Sequence, residues 1–368
     1  MQSKFIQWII FGSYIFLGSL NAEAFVSANF LLFGPSVDTV TVERLEILSK
    51  LKTDHGIQAV TTVYIPIFDD DKGQYARTRD ILNQFAFDII TTTPMSGDKD
   101  ITSLDEEIGR AGVQFLKERI LITKKLGSKV LTGALLFPEL KGLSEKSIRP
   151  IDKNGKQIEP PALTLLVNQR LRAAVSRMQE VADFAAKHDI TVVNEYINHW
   201  EICGGNTMSS AIAFALEVNR PNFGILSDIS HEVLQGKGPL IYAGELQFAK
   251  NAGLPIYLQI SEPGRGDIVN SWIPFDQLFG IVQALNIVDK THPLDIEIFD
   301  VLGLNPTLMQ LTRDPFVDPM QVLIDGIQYT HQRYESVPET FKNIPSQALA
   351  KASDHIAEER KIVYLTPP

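Results

Sequence analysis

The feature that most constrains this chain is an alternation that runs almost its whole length. Short apolar runs occur at Phe25–Phe33, Gln58–Pro66, Phe87–Pro94, Lys129–Phe137, Thr191–Glu195, Phe223–Asp228, Ile256–Ser261 and Leu294–Phe299. Bounded by Gly, Pro or Asp, they suit strands covered on both faces. Helical periodicity fills the spaces between them, at Val42–Asp54, Ser103–Leu126, Asn168–His188, Ser209–Val218, Tyr242–Ala252, Phe275–Leu285 and Pro319–Tyr334. Strands alternating with helices in this number predict an α/β fold, a parallel sheet closed into a (β/α)8 TIM barrel. A doubly wound open sheet is the alternative. A length of 368 residues fits one such barrel, so residues 25–368 read as a single domain.

The first 24 residues follow another rule. Lys4 precedes an apolar stretch, Phe5 to Leu20, interrupted by Gln7, Gly12, Ser13, Gly18 and Ser19, and Asn21-Ala22-Glu23-Ala24 closes it. A positive start, an apolar centre and an A-x-A ending read as a signal peptide. An apolar first strand is the competing reading, and the run is short for a retained membrane anchor. Export to the periplasm or the medium is expected if the segment is a signal, with no membrane contact after its removal, and a cytoplasmic location otherwise. Cys203 stands alone, so no internal disulfide forms. A net charge of −10 without a Lys/Arg-rich stripe argues against a nucleic-acid partner.

Local signals agree with the alternation. Ser103 reads as an N-cap ahead of Asp105, Glu106 and Glu107, and Gly127 as a C-cap after Lys124 and Lys125. Asn206-Thr207 reads as the cap of the next helix. Pro138–Ala162 is the longest irregular stretch and follows the fourth strand, where a barrel carries its substrate loops. The tail after Glu335 reads as helical around Ser346–Glu359.

Catalytic groups of a barrel come from the C-terminal ends of different strands. Four such ends are polar here: Asn194-Glu195, Ser227-Asp228 followed by His231, Gln259-Ile260-Ser261-Glu262 followed by Arg265, and Asp295-Ile296-Glu297. Acids converging there repel one another without a cation. A shared divalent ion resolves the conflict, and oxygen-rich ligation favours Mn²⁺ or Mg²⁺ over zinc.

These segments resemble the xylose-isomerase-like TIM barrels of the sugar isomerase/epimerase superfamily, and within them ketose 3-epimerases of the D-tagatose/D-psicose type. The resemblance runs from about Phe25 to Tyr334. The family's E-P-L-N-R-x-E pattern reads Glu195-Tyr196-Ile197-Asn198-His199-Trp200-Glu201, its D-x-x-H reads Asp228-Ile229-Ser230-His231, and its H-x-S-E-x-x-R-G reads Gln259-Ile260-Ser261-Glu262-Pro263-Gly264-Arg265-Gly266. By resemblance, Glu195, Asp228, Gln259 and Glu297 hold the metal, with Mn²⁺ expected and Mg²⁺ or Co²⁺ as alternatives. Glu201, His231 and Arg265 contact substrate oxygens. A small-molecule sugar is the implied partner, and relatives of this kind often form homo-oligomers.

One position departs from the family: Gln259 stands where the family usually places His. An amide oxygen ligates hard cations, so a weaker and harder metal site is expected. The implied chemistry is proton transfer at the carbon beside a ketone. A metal stabilises the enediolate as a Lewis acid, and Glu195 and Glu297 serve as catalytic proton carriers. A group on each face gives epimerisation, whereas a single-face base gives aldose–ketose isomerisation. Two other readings stand beside this one: an exported 3-keto-glycoside lyase or isomerase, or an inosose-dehydratase-like enzyme, on the same barrel; and a sugar-binding protein that has lost catalysis.

Overall fold

Apolar runs do become strands. In the computed structural model β1 (Val26–Asn29), β2 (Val60–Pro66), β3 (Asp88–Thr92), β4 (Val130–Gly133), β5 (Thr191–Glu195), β6 (Phe223–Asp228), β7 (Ile256–Ile260) and β8 (Leu294–Ile296) pair in parallel as a closed barrel in chain order. β8 returns to β1 through the Val26–Leu294, Ser27–Asp295 and Ala28–Ile296 register. The open-sheet alternative is therefore excluded. The structure describes residues 24–54, 60–68, 74–95, 98–138, 156, 159–199, 201–235, 238–298 and 316–365. The proposed signal segment up to Glu23, most of the 138–162 loop, and Trp200 lie outside them.

Helices cover the barrel: α1 (Val42–Asp54), α2 (Gln74–Leu82), α3 (Glu106–Leu126), α4 (Pro160–Ala186), α5 (Met208–Val218), α6 (Ile229–Gln235), α7 (Pro239–Asn251), α8 (Phe275–Leu285), α9 (Pro319–Glu335) and α10 (Gln347–Arg360). Several boundaries differ from expectation for local reasons. The first strand stops at Asn29, whose Oδ1 accepts from Leu31 N–H at 3.0 Å and starts a 3-10 turn over Phe30–Phe33. α4 begins eight residues ahead of the expected Asn168, because Pro160 and Pro161 occupy its first turn, where a missing N–H costs nothing. Asp105, not Ser103, caps α3 by accepting from Glu107 and Ile108, while Ser103 accepts from Asp105 N–H. Gly127 does close that helix in the left-handed conformation, and Thr207 caps α5. The short helices α2 and α6 add to those the periodicity predicts.

The period-2 alternation of each strand sorts side chains to two sides. Val26, Ala28, Val63, Ile65, Val192, Ile225, Leu258, Ile260, Leu294 and Ile296 join the main core beneath the helices. Tyr64, Ile90, Val130, Val193, Leu226 and Tyr257, one from each of β2 to β7, form a separate apolar cluster that plugs the barrel interior. The same alternation turns Asp228, Gln259, Asp295 and Glu297 inward, above that plug. α10 packs across α5 and α7. It comes so close that a Cβ on Gly244 would lie 2.1 Å from the Ala348 carbonyl oxygen. Glycine is required there by a backbone approach.

Candidate active site

Strand register brings the polar ends together. Asp228 lies opposite Gln259, and Gln259 opposite Asp295. All seven residues singled out from the sequence, namely Glu195, Glu201, Asp228, His231, Gln259, Arg265 and Glu297, are buried at the C-terminal end of the barrel. Five of them, Glu195, Glu201, His231, Arg265 and Glu297, line one pocket. Its other wall is uncharged and includes Leu31, Phe68, Thr92, Thr93 and Ala134, and the space amounts to about 500 Å³ out to open solvent.

Arg265 is the cationic centre. Its Nη1 donates to Glu297 Oε2 at 2.9 Å, to Ser261 Oγ at 3.1 Å, and more closely to Asp228 Oδ2. Nη2 lies 2.8 Å from His231 Nε2 and 3.8 Å from Glu201 Oε1. At 4% exposure, Arg265 is an interior group and not a surface ion-pair former. Its backbone is left-handed, with φ at 56°, a conformation that costs a non-glycine residue of order 1 kcal/mol. Glu262 holds that turn: its carbonyl accepts from Arg265 N–H at 2.8 Å, and its carboxylate accepts from Gly266 N–H at 2.5 Å.

His231 links the remaining acids. Its Nε2 lies 3.3 Å from Glu195 Oε1 and 3.5 Å from Asp228 Oδ2. Asn198 sits on the other side, with its amide nitrogen 3.0 Å from Nδ1 and donating to Glu201 Oε1 at 2.6 Å. Ligand atoms of Glu195, Asp228 and His231 lie within 4.8 Å of one another. Asp228 also accepts from Ser230 N–H at 2.8 Å, so it caps the following helix as well as facing the site.

Burial and charge set the acids apart. Burial pushes the Glu195 carboxyl up; His231 and Arg265 oppose the rise and Asp228 adds to it. Burial pushes Glu297 well up against the pull of Arg265, with Glu195, Asp228 and Asp295 adding to the rise. Burial acts on Asp228 too, but the charges of Arg265 and His231 and the bonds from Ser261 and Arg265 outweigh it and hold this carboxyl low. Asp295 is pushed up to about 7 by burial, against donors from Gln259, Ser27 and Asn29. Two glutamates with raised proton affinity beside an aspartate held low suit acid–base work.

Five buried carboxyls (Glu195, Glu201, Asp228, Asp295 and Glu297) face one guanidinium and one imidazole. Gln259 adds an oxygen, Oε1, that is buried without a hydrogen-bond partner among the described residues. Excess negative charge and an orphaned oxygen among carboxylates fit a divalent cation.

The region 51–307 matches the family described as xylose isomerase-like TIM barrel. The chain belongs to that family. An L-ribulose 3-epimerase of Methylomonas sp. (strain DH-1) is 25% identical over 275 residues, which cover 74% of this chain and 86% of the relative. A ketose 3-epimerase of Arthrobacter globiformis is 25% identical over 249 residues, covering 68% of this chain and 76% of the relative. Among solved structures, D-allulose 3-epimerase from Methylomonas sp. in complex with D-allulose superposes with a TM-score of 0.65 at 20% identity, covering 85% of this chain and 98% of that one. The expected fold is thereby established twice, by the closed barrel and by the family.

Five further residues of the site, Ser27, Asn29, Asn198, Ser261 and Asp295, have no role assigned from sequence. Asn198 and Ser261 stand at matched positions of the family patterns, and Asp295 stands two residues before Glu297 on one strand, so it must share the inward face. Of the minor candidates, His199 is exposed, and Cys203 is half-buried with Arg170 3.8 Å from its sulfur. Burial pushes that thiol up, away from the reactive thiolate.

Proposed function

We propose that the chain is a sugar epimerase or isomerase that moves a proton at the carbon beside a ketone, with Glu195 and Glu297 as the proton-carrying pair. The observation that carries this reading is that two buried glutamates, from the ends of β5 and β8 and both pushed toward holding a proton, line one pocket. The epimerase names of the relatives support it.

Glu195, Asp228, Glu297 and Gln259 Oε1 would hold a divalent ion, Mn²⁺ by the hardness of the donors, with His231 alongside Glu195 and Asp228. When bound, the ion supplies Lewis-acid stabilisation of negative charge on a ketone oxygen. Asp228 and Glu297, which Arg265 now pairs with, would be shared with the ion, and the guanidinium would then be available to a substrate hydroxyl. Glu201 and His231, bridged by Asn198, present further polar atoms to the sugar. One glutamate takes the carbon-bound proton and the other returns one to the opposite face, which inverts the carbon. The uncharged wall opposite limits water and keeps both carboxyls basic.

The test is proton exchange. The purified protein, supplied with Mn²⁺ and a panel of ketoses in D₂O, is expected to place deuterium at C3, and Glu195→Gln to abolish the uptake. Tight sugar binding without exchange on any ketose would leave a binding protein and overturn the reading. We also infer that residues 1–24 direct export. Barrel closure begins with β1 at Val26, so the apolar segment is not needed as a strand. Among the described residues no helix is long and apolar enough to cross a membrane. Continued export after deletion of residues 2–24 would refute the signal.

A further inference from the structure

Gln259 is the position at which this chain departs from the residue type expected of its site, and its side chain is not free to choose its orientation. The amide nitrogen donates to Asp295 Oδ2 and to Glu297 Oε1, both at 3.1 Å. Both protons of the amide are thereby used on carboxylates. Turning the amide over would set its oxygen against the same two carboxylates, so the orientation is fixed by chemistry. The nitrogen faces β8, and the buried Oε1, turned away from β8, has no hydrogen-bond partner among the described residues.

Asp295 is the hub of this arrangement. Its Oδ1 accepts from Ser27 Oγ at 2.9 Å and its Oδ2 from Asn29 Nδ2 at 2.8 Å. Asn29 is itself committed, because its own oxygen accepts from Leu31 N–H. Three donors from β1 and β7 therefore converge on one fully buried carboxylate that holds no position on the pocket wall. Asp295 is too deep to meet substrate. Its effect on the site runs through Gln259.

We propose that Asp295 is a positioning residue: it locks the Gln259 amide so that an oxygen, not a nitrogen, is offered to the divalent ion, and it thereby sets a preference for Mn²⁺ or Mg²⁺ over Zn²⁺. The proposal rests on the reading that the acids hold such an ion. Groups that orient a ligand from behind typically change metal affinity by about 10–100-fold when removed. An amide oxygen in place of an imidazole nitrogen shifts the site toward hard cations.

Metal binding to the full chain, titrated at pH 8 with Mn²⁺ and with Zn²⁺ separately, tests this without reference to turnover. Asp295→Asn removes the negative charge and one of the two accepting oxygens at nearly constant volume. It is expected to weaken Mn²⁺ binding by at least about tenfold while narrowing the Mn²⁺/Zn²⁺ difference. Adding Gln259→His to that variant is expected to restore Mn²⁺ affinity, since an imidazole ligand needs no amide orientation. If wild type binds Mn²⁺, Glu195→Gln loses it, and Asp295→Asn keeps both wild-type affinity and preference, the positioning role is overturned and the metal reading survives. If wild type binds neither ion, the metal reading falls and the positioning role with it. Should Asp295→Asn fail to fold, Ser27→Ala carries the test: a measurable loss of Mn²⁺ affinity supports the hub, and unchanged affinity overturns it.

Discussion

Strands β5–β8 and strands β1–β4 contribute to the barrel interior in opposite ways. The first set supplies Glu195, Asp228, Gln259, Asp295 and Glu297, while the second supplies Ser27, Asn29, Tyr64, Thr92 and other uncharged side chains. Neither half makes the site alone. Acids placed side by side in open water shift one another's proton affinities only modestly, because solvent and salt screen the repulsion. Here an uncharged wall across the pocket, and the apolar plug below, take water away from them. Burial is the largest influence raising Glu195 and Glu297. The neutral half thus makes the acid half basic, and the acid half in turn acts on its neighbour: the Tyr64 hydroxyl is pushed well up by burial and then by Asp295.

The sharpest way to break this division is to remove an acid. Glu297→Gln and Glu195→Gln are each expected to lower the exchange rate by at least about 10²-fold, with the barrel intact. Measured one at a time against each partner epimer, the two variants should also fail differently, because each glutamate serves one face. Identical small losses from both would mean that proton transfer lies elsewhere.

The halves are also braced differently from outside. α10 lies on α5 and α7, behind the acid half, and Ala348, Ala352 and Ile356 bury there. Gly244→Ala would force a methyl against the Ala348 carbonyl and is expected to cost about 1–3 kcal/mol, the usual range for overpacking. Urea denaturation reads the loss. An unchanged midpoint would show that α10 does not brace the barrel. In the pocket itself, Thr92→Val keeps the shape of the neutral wall and removes one hydroxyl. A single neutral hydrogen bond to substrate is worth about 1 kcal/mol, so KM should rise by roughly fivefold with kcat unchanged. A loss in kcat as large as that of Glu297→Gln would erase the distinction between the halves.

The two halves are unequally legible in the amino-acid sequence. All eight strands fall where the apolar runs lie, since burial on both faces leaves a continuous signal. Ends are less visible. Asn29 stops β1 through its own side chain, and α4 gains two turns from Pro160 and Pro161, effects of single residues on a pattern read by averages. α2 is short and largely polar, so periodicity does not expose it. The acid half is readable because carboxylates, His231 and Arg265 are conspicuous at strand ends. The supporting residues are not: Ser27, Asn29 and Ser261 are ordinary in any sequence, and only the closed barrel sets Ser27 and Asn29 against Asp295 and Ser261 against Asp228.

The smallest expected effect lies on the outer surface of the neutral half, where ion pairs add to the packing between α3 and α4. Glu180 accepts from Arg110 at 2.5 and 2.9 Å and from Lys117 at 2.6 Å. Hydrogen bonds from Arg110 and then Lys117 pull its carboxyl down to about 2, against a slight rise from burial. A carboxyl lowered in the folded state stabilises the fold above its unfolded value of about 4.5. That contribution is lost as pH falls toward the folded value of about 2. Glu180 is more than one-third exposed, so solvent screening reduces the gain to about 0.5–1 kcal/mol. Glu180→Gln should therefore cost that much at pH 7 in low salt, less at about 0.5 M NaCl, and progressively less below about pH 4.5. A cost that is insensitive to salt, or that grows on acidification, would mean that these ion pairs contribute nothing and that packing alone holds α3 to α4.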